Sequence, residues 1–230
     1  MNAINKNIWT VLFFIAATCQ LAMGQDDQKK VYTTSGGELM FSWADAKIGG
    51  QTASSVTRFS PVFNLQNQVH MDMNEHVGFF SGLNIRNVGF IYNDPTAPST
   101  RYKVRTYTLG IPFAIKVGNM TGYNLFGGYE LELPFNFKEK KFVNEDKTNK
   151  TSDWFSSKTP SLYQSLFVGI QTPFGSQLKF KYYMTNFFNK SYSANDGAGN
   201  IIYPYQNFDA NVFYISLSVQ ILKGTHLDYK

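Results

Sequence analysis

Charged residues are scarce in this chain, so those that interrupt apolar stretches are the first candidates for chemistry. Arg86, Lys116, Glu130, Glu132, Lys179 and Lys181 each stand inside a run of otherwise uncharged residues. Glu130 and Glu132, two positions apart, have the types needed for paired acid and base work. Nothing near them supplies a nucleophile or a metal cage. Histidine occurs only at 70, 76 and 226. His70-Met71-Asp72 followed by Glu75-His76 loosely resembles a metal cluster but lacks the closed spacing of true sites. No His–Ser pairing of the kind used by membrane-embedded hydrolases stands out. Cys19 is the single cysteine. These residues predict no catalytic, cofactor or metal site, and a protein that is not an enzyme. The remaining distinctive feature is Trp154-Phe155, within the charged stretch 139–160. An aromatic pair there reads either as an external contact site or as an anchor tucked onto a rim at a lipid interface.

The elements that carry these residues are strands. Of 230 residues, 43% are hydrophobic and 17% aromatic, while only 16% are charged, with a net charge of +5; an ordinary soluble domain has roughly 25% charged residues. Mean hydropathy is −0.25, which excludes a polytopic helical membrane protein. Alternation with a period of two dominates, and no segment has a clear helical period. Tyr107, Leu109, Ile111, Phe113, Ile115 and Val117 share one parity, against Thr108, Gly110, Pro112, Ala114 and Lys116. Tyr129 to Phe137 and Phe213 to Ile221 repeat the pattern.

Eight such segments occur, at about 37–46, 57–70, 77–92, 102–118, 122–138, 161–173, 176–189 and 207–223. All are long enough for the ~9–11 residues of a tilted bilayer span. Connections alternate between long and polar (47–56, 93–101, 139–160, 190–206) and short (71–76, 119–121, 174–175). The prediction is an all-β, eight-stranded antiparallel up-and-down transmembrane β-barrel, with long external loops and short periplasmic turns. The three histidines then fall at the periplasmic rim. The polar parity is rich in Thr, Ser, Gly, Ala and Asn rather than in Lys and Glu, so it is assigned to the lumen. A soluble lipocalin-like barrel is the alternative.

Residues 1–24 read as a cleaved signal peptide, from Lys6, the apolar run Ile8 to Leu21 and the small residues around Ala22-Met23-Gly24. Residues 25–36 are then a short periplasmic segment, 37–223 the barrel and 224–230 a periplasmic tail. The stretches 85–92, 105–118, 127–138 and 179–189, above all Leu109-Gly110-Ile111-Pro112 with Lys116, resemble the small outer-membrane β-barrel (porin-like) proteins of the Bacteroidota. The resemblance implies fold and an outer-membrane location, and little about activity.

With the apolar parity outward, the six charged residues face the lumen. A turn near Met120 pairs residues summing to about 240, which sets Glu132 beside Thr108 and Glu130 beside Gly110. The connection 93–101 pairs residues summing to roughly 194, which sets Arg86 beside Thr108. Arg86 is therefore expected to reach Glu132, directly or through Glu130, as part of a charge-paired plug; a polar path for a small solute is the other reading. The expected partners are outer-membrane lipid and other outer-membrane or surface proteins in a complex. Nucleic acid is not expected, because basic residues are interspersed with acids along the chain.

Overall fold

The computed structural model describes residues 30–223; the signal-peptide and tail assignments at 1–24 and 224–230 lie outside them. The chain forms β1 (Lys30–Ile48), β2 (Gln51–Thr52), β3 (Ser55–Val56), β4 (Arg58–Ser60), β5 (Leu65–Asp72), β6 (Val77–Asp94), β7 (Ala97–Gly118), β8 (Asn124–Val143), β9 (Asp146–Trp154), β10 (Tyr163–Gln171), β11 (Gln177–Tyr183), β12 (Ala194–Asn195), β13 (Ile201–Ile202) and β14 (Phe208–Lys223). The long strands join neighbour to neighbour, all antiparallel, and two further pairings close the ring. β8 pairs with β10, from Glu132↔Tyr163 to Asn124↔Gln171. β1 pairs with β14, from Thr34↔Lys223 to Ile48↔Phe208. The result is an eight-stranded up-and-down barrel in which β4 and β5 together act as one strand.

β1 begins at Lys30, so residues 30–36 are barrel wall rather than the periplasmic segment assigned to 25–36; they pair with β5 from Lys30↔Asp72 to Gly36↔Gln66. Two segments read as long loops are largely strand. β6 and β7 run on to Asp94↔Ala97, and β8 and β9 to Val143↔Asp146. β7, β8 and β9 therefore form a three-stranded sheet beyond the point where β10 takes over from β9 as the partner of β8.

The second strand is broken at Pro61. Four residues, 61–64, lie between the pairs Met40↔Ser60 and Gly37↔Leu65, with Phe63 at φ 61°. The interrupted ladder is bridged by side chains. Asn64 Nδ2 donates to the Ser60 carbonyl (2.8 Å), and Asn64 Oδ1 accepts from the Asn87 amide (2.9 Å). Arg58, buried in the same gap, donates to the Asn87 carbonyl (3.0 Å) and to its Oδ1 (2.6 Å).

Alternation sorts the wall as the sequence predicts. Leu133 (54% exposed), Val168 (55%) and Leu178 (51%) are typical of the outward parity. The inward parity, with Glu38, Ser42, Gln66, Thr108, Glu132, Ser165 and Ser218, is buried. The closed wall is apolar outside, and its interior is polar and charged over one part and aromatic over the other.

Candidate functional site

The lumen is layered. At mid-height six ionised side chains meet: Glu38 on β1, Arg86 on β6, Glu130 and Glu132 on β8, and Lys179 and Lys181 on β11. None is more than 4% exposed. Arg86 Nε donates to Glu38 (3.0 Å), and its Nη1 binds Glu130 and lies 3.8 Å from Glu132. Lys179 binds Glu38 (2.6 Å), and Lys181 binds both Glu130 (2.6 Å) and Glu132. Neutral donors take up further lone pairs. Asn84 reaches Glu130 (2.7 Å), Thr108 and Tyr183 reach Glu132 (2.6 and 2.8 Å), and Ser216 reaches Glu38 (2.5 Å). Three carboxylates face three cations, so the cluster is neutral. A buried charge is tolerable only with such partners.

The expected register of Arg86 against Thr108 is present. That of β7 with β8 is shifted: Glu132 lies opposite Gly110 and Glu130 opposite Pro112, while Thr108 faces Pro134. The turn is longer than 119–121, since the ladder ends at Gly118↔Asn124. Gly110 leaves space for the acids: a Cβ there would collide with Glu130 Oε1 and sit 3.0 Å from Glu132 Cγ. Sequence reasoning missed Glu38 because no tight turn links β1 to β6. Its signal was parity, Glu38, Met40 and Ser42 alternating with Leu39, Phe41 and Trp43.

Lys116 does not join this cluster. It forms a separate pair near the short-turn end, with Asp72 (2.5 Å) and the Tyr32 hydroxyl (3.0 Å). Phe80, Phe126 and Phe167 pack between the two sites. His70 is not at the rim but inside the lumen, stacked on Tyr32 (4.8 Å between ring centroids) and hydrogen bonded to Thr34 (2.9 Å). His76 is exposed in the 73–76 turn, and His226 lies outside the described residues. Thr34 and His70 couple a hydroxyl to an imidazole, but they are 4% and 0% exposed and have no room for a substrate. Among the described residues no cluster of His, Cys, Asp and Glu could hold a metal.

The other end is sealed by aromatics. Phe187 and Phe188 follow β11 into the mouth and meet Phe90, Tyr205 and Phe208. Asn186 pins the segment, donating to the Phe208 carbonyl (3.0 Å) and accepting from the Ala210 amide (2.6 Å). On the short-turn side of the charged layer, the gap between it and Phe80, Phe126 and Phe167, also lined by Asn84 and Gln177, is too small for a water molecule. Mutual packing of the six charged side chains closes the lumen at its middle.

Trp154 and Phe155 sit at the foot of the projecting sheet, 69% and 81% exposed. They do not form a loop tip. Trp154 stacks on Phe135 (6.0 Å), and Phe135 on Tyr107 (6.2 Å), so the pair ends an aromatic row across the outward wall.

No family model matches the chain. No curated protein matches it either. Among solved structures, Neisserial surface protein A is similar over 83% of this chain and 97% of its own, at 11% identity and a TM-score of 0.37. Ail, the attachment invasion locus protein of Yersinia pestis, is similar over 84% of this chain and 99% of its own, at 8% identity and a TM-score of 0.37.

Proposed function

We propose that the protein is a non-enzymatic integral outer-membrane barrel with a side-chain-filled lumen, which contacts envelope or surface partners through the parts that project from it. One observation carries this reading: the exposed side of the closed wall is apolar, and the charged residues are inside. In water that wall would expose a continuous hydrophobic band far beyond the few hundred Å² usual for a soluble monomer. In a bilayer it needs no other cover, and the closed ladder leaves no unpaired edge in the hydrocarbon. A soluble lipocalin-like barrel would place its apolar parity inward. The sequence resemblance to Bacteroidota outer-membrane barrels points the same way.

The neutral, desolvated cluster supports a plug rather than a channel. The test is fractionation of a Gram-negative host expressing the full chain, followed by planar-bilayer recording of the purified barrel. We expect the protein in carbonate-resistant outer membrane, with heat-modifiable migration and no steady conductance. A soluble periplasmic product would overturn the membrane reading; stable ion-selective steps would overturn the plug and favour the narrow channel.

A further inference from the structure

The pleat gathers the bases of 138–150 onto one face, apart from Lys141, which lies with Glu139 on the other. On one face of β7–β8–β9 lie Lys103 and Arg105, Lys138 and Lys140, and Lys150. The opposite face holds Glu139 and Asp153, the latter paired with Lys158 (2.7 Å). The cationic face is the outward one. Lys138 Nζ lies 5.0 Å and Arg105 Cζ 5.7 Å from the ring centre of Tyr107, which belongs to the aromatic row of the wall.

The arrangement on that face is mildly repulsive in isolation. Arg105 stands directly opposite Lys138, and Lys103, Lys140 and Lys150 are cross-strand neighbours in one line. Like charges opposed in this way destabilise a sheet. None of the five has an ion pair among the described residues; Arg101, further out, is taken by Glu145 (3.1 Å).

Height identifies the counter-charge. At about 3.3 Å per residue, Arg105 and Lys138 lie ~7 Å along the strand above Tyr107, and Lys103, Lys140 and Lys150 lie ~7 Å further. Aromatic girdles mark the membrane interface, and the headgroup layer is roughly 5–8 Å deep on each side. On strands tilted by ~40° these are heights of ~5 and ~10 Å, so the first row of cations falls within that layer and the second just beyond it, within reach of the headgroups by the length of a lysine side chain.

We infer that this face is a docking surface for the anionic phosphates of outer-leaflet lipid headgroups, which clamp the projecting sheet against the membrane from which it rises. The inference rests on the membrane reading above. Two outward cations removed together forfeit about fivefold each in attraction to an anionic surface, roughly thirty-fold in all.

The experiment places the full chain in nanodiscs of phosphatidylcholine with phosphatidylglycerol, and measures by native mass spectrometry which lipid stays bound on release. Lys103→Gln/Lys140→Gln is compared with Lys141→Gln/Lys190→Gln, which removes the same charge elsewhere. The expected result is retention of phosphatidylglycerol over phosphatidylcholine by the unmodified barrel and by the second variant, reduced about thirty-fold in the first. Equal loss in both variants, or no headgroup preference in the unmodified barrel, overturns the inference alone. So does full displacement of the lipid by millimolar inorganic phosphate, which would make the site one for free anions. Failure to insert, read separately from heat-modifiable migration, overturns the membrane reading together with it.

Discussion

The lumen and the outward face of the projecting sheet treat charge in opposite ways. In the central cluster Arg86, Lys179 and Lys181 each touch a carboxylate, and each carboxylate touches at least one cation. On the outward sheet five cations share a surface with no acid among them. The difference follows from the surroundings. In a closed, dry interior the cost of an unmatched charge is several kcal/mol, so the clustered charges are paired within the chain; Arg58, equally buried, is held by the Asn87 carbonyl and Oδ1 instead. At a wet surface the cost is small, and the charge is left for something outside to match.

The largest expected effect is in the lumen. Arg86→Ala leaves three buried carboxylates to two lysines and should cost about 3–5 kcal/mol. Arg86→Ala combined with Glu130→Ala should cost less than the sum of the two single changes, by about 0.5–3 kcal/mol in a double-mutant cycle on unfolding in detergent. Additive effects would mean that the cluster does not act as a unit. Next comes the wall: Leu131→Arg and Ile215→Arg should each cost about 2–4 kcal/mol in lipid if they lie near the midplane, read from refolding yields into vesicles. Smaller again is the mended gap in the second strand. Asn64→Ala leaves the Ser60 carbonyl and the Asn87 amide without their side-chain partner, for about 1–3 kcal/mol and faster amide exchange at Asn87. The smallest effect belongs to the sheet. Lys103→Gln with Lys140→Gln in neutral detergent should shift stability by no more than about 0.5 kcal/mol, in either direction. A loss as large as that of Arg86→Ala would erase the contrast between the two regions.

Much of the lumen was legible because a strand has only two faces. Parity alone put Arg86, Lys116, Glu130, Glu132, Lys179 and Lys181 inside, and all six are buried. Parity does not set height, and that is why Lys116 separates from the rest. Register needs turn lengths, and the turn after Gly118 is longer than its sequence suggested, which moved both glutamates along β7. The β8–β9 hairpin was hidden for a different reason. Its two-residue turn, Asn144-Glu145, has both residues at positive φ (50° and 69°), the type I′ geometry that usually advertises itself with Asn-Gly. With glutamate in the second place, a polar, charged stretch looked like a loop. The same oversight concealed the sorting of charge, since bases scattered along a loop are scattered in space, but bases at alternate positions of a strand form a row.

The pairing of β1 with β14 also imposes an order of events in time. The first strand's final neighbour is the last to be made, and residues such as Leu39 and Leu217 meet only after everything between them exists. Joining ends so far apart along the chain carries a closure entropy that grows with the logarithm of the separation, and topologies dominated by distant pairings assemble slowly. Until that seam shuts, β1 and β14 are open edges with apolar flanks, the arrangement most prone to wrong partners. The chain therefore has a vulnerable interval between synthesis and the closing of this seam.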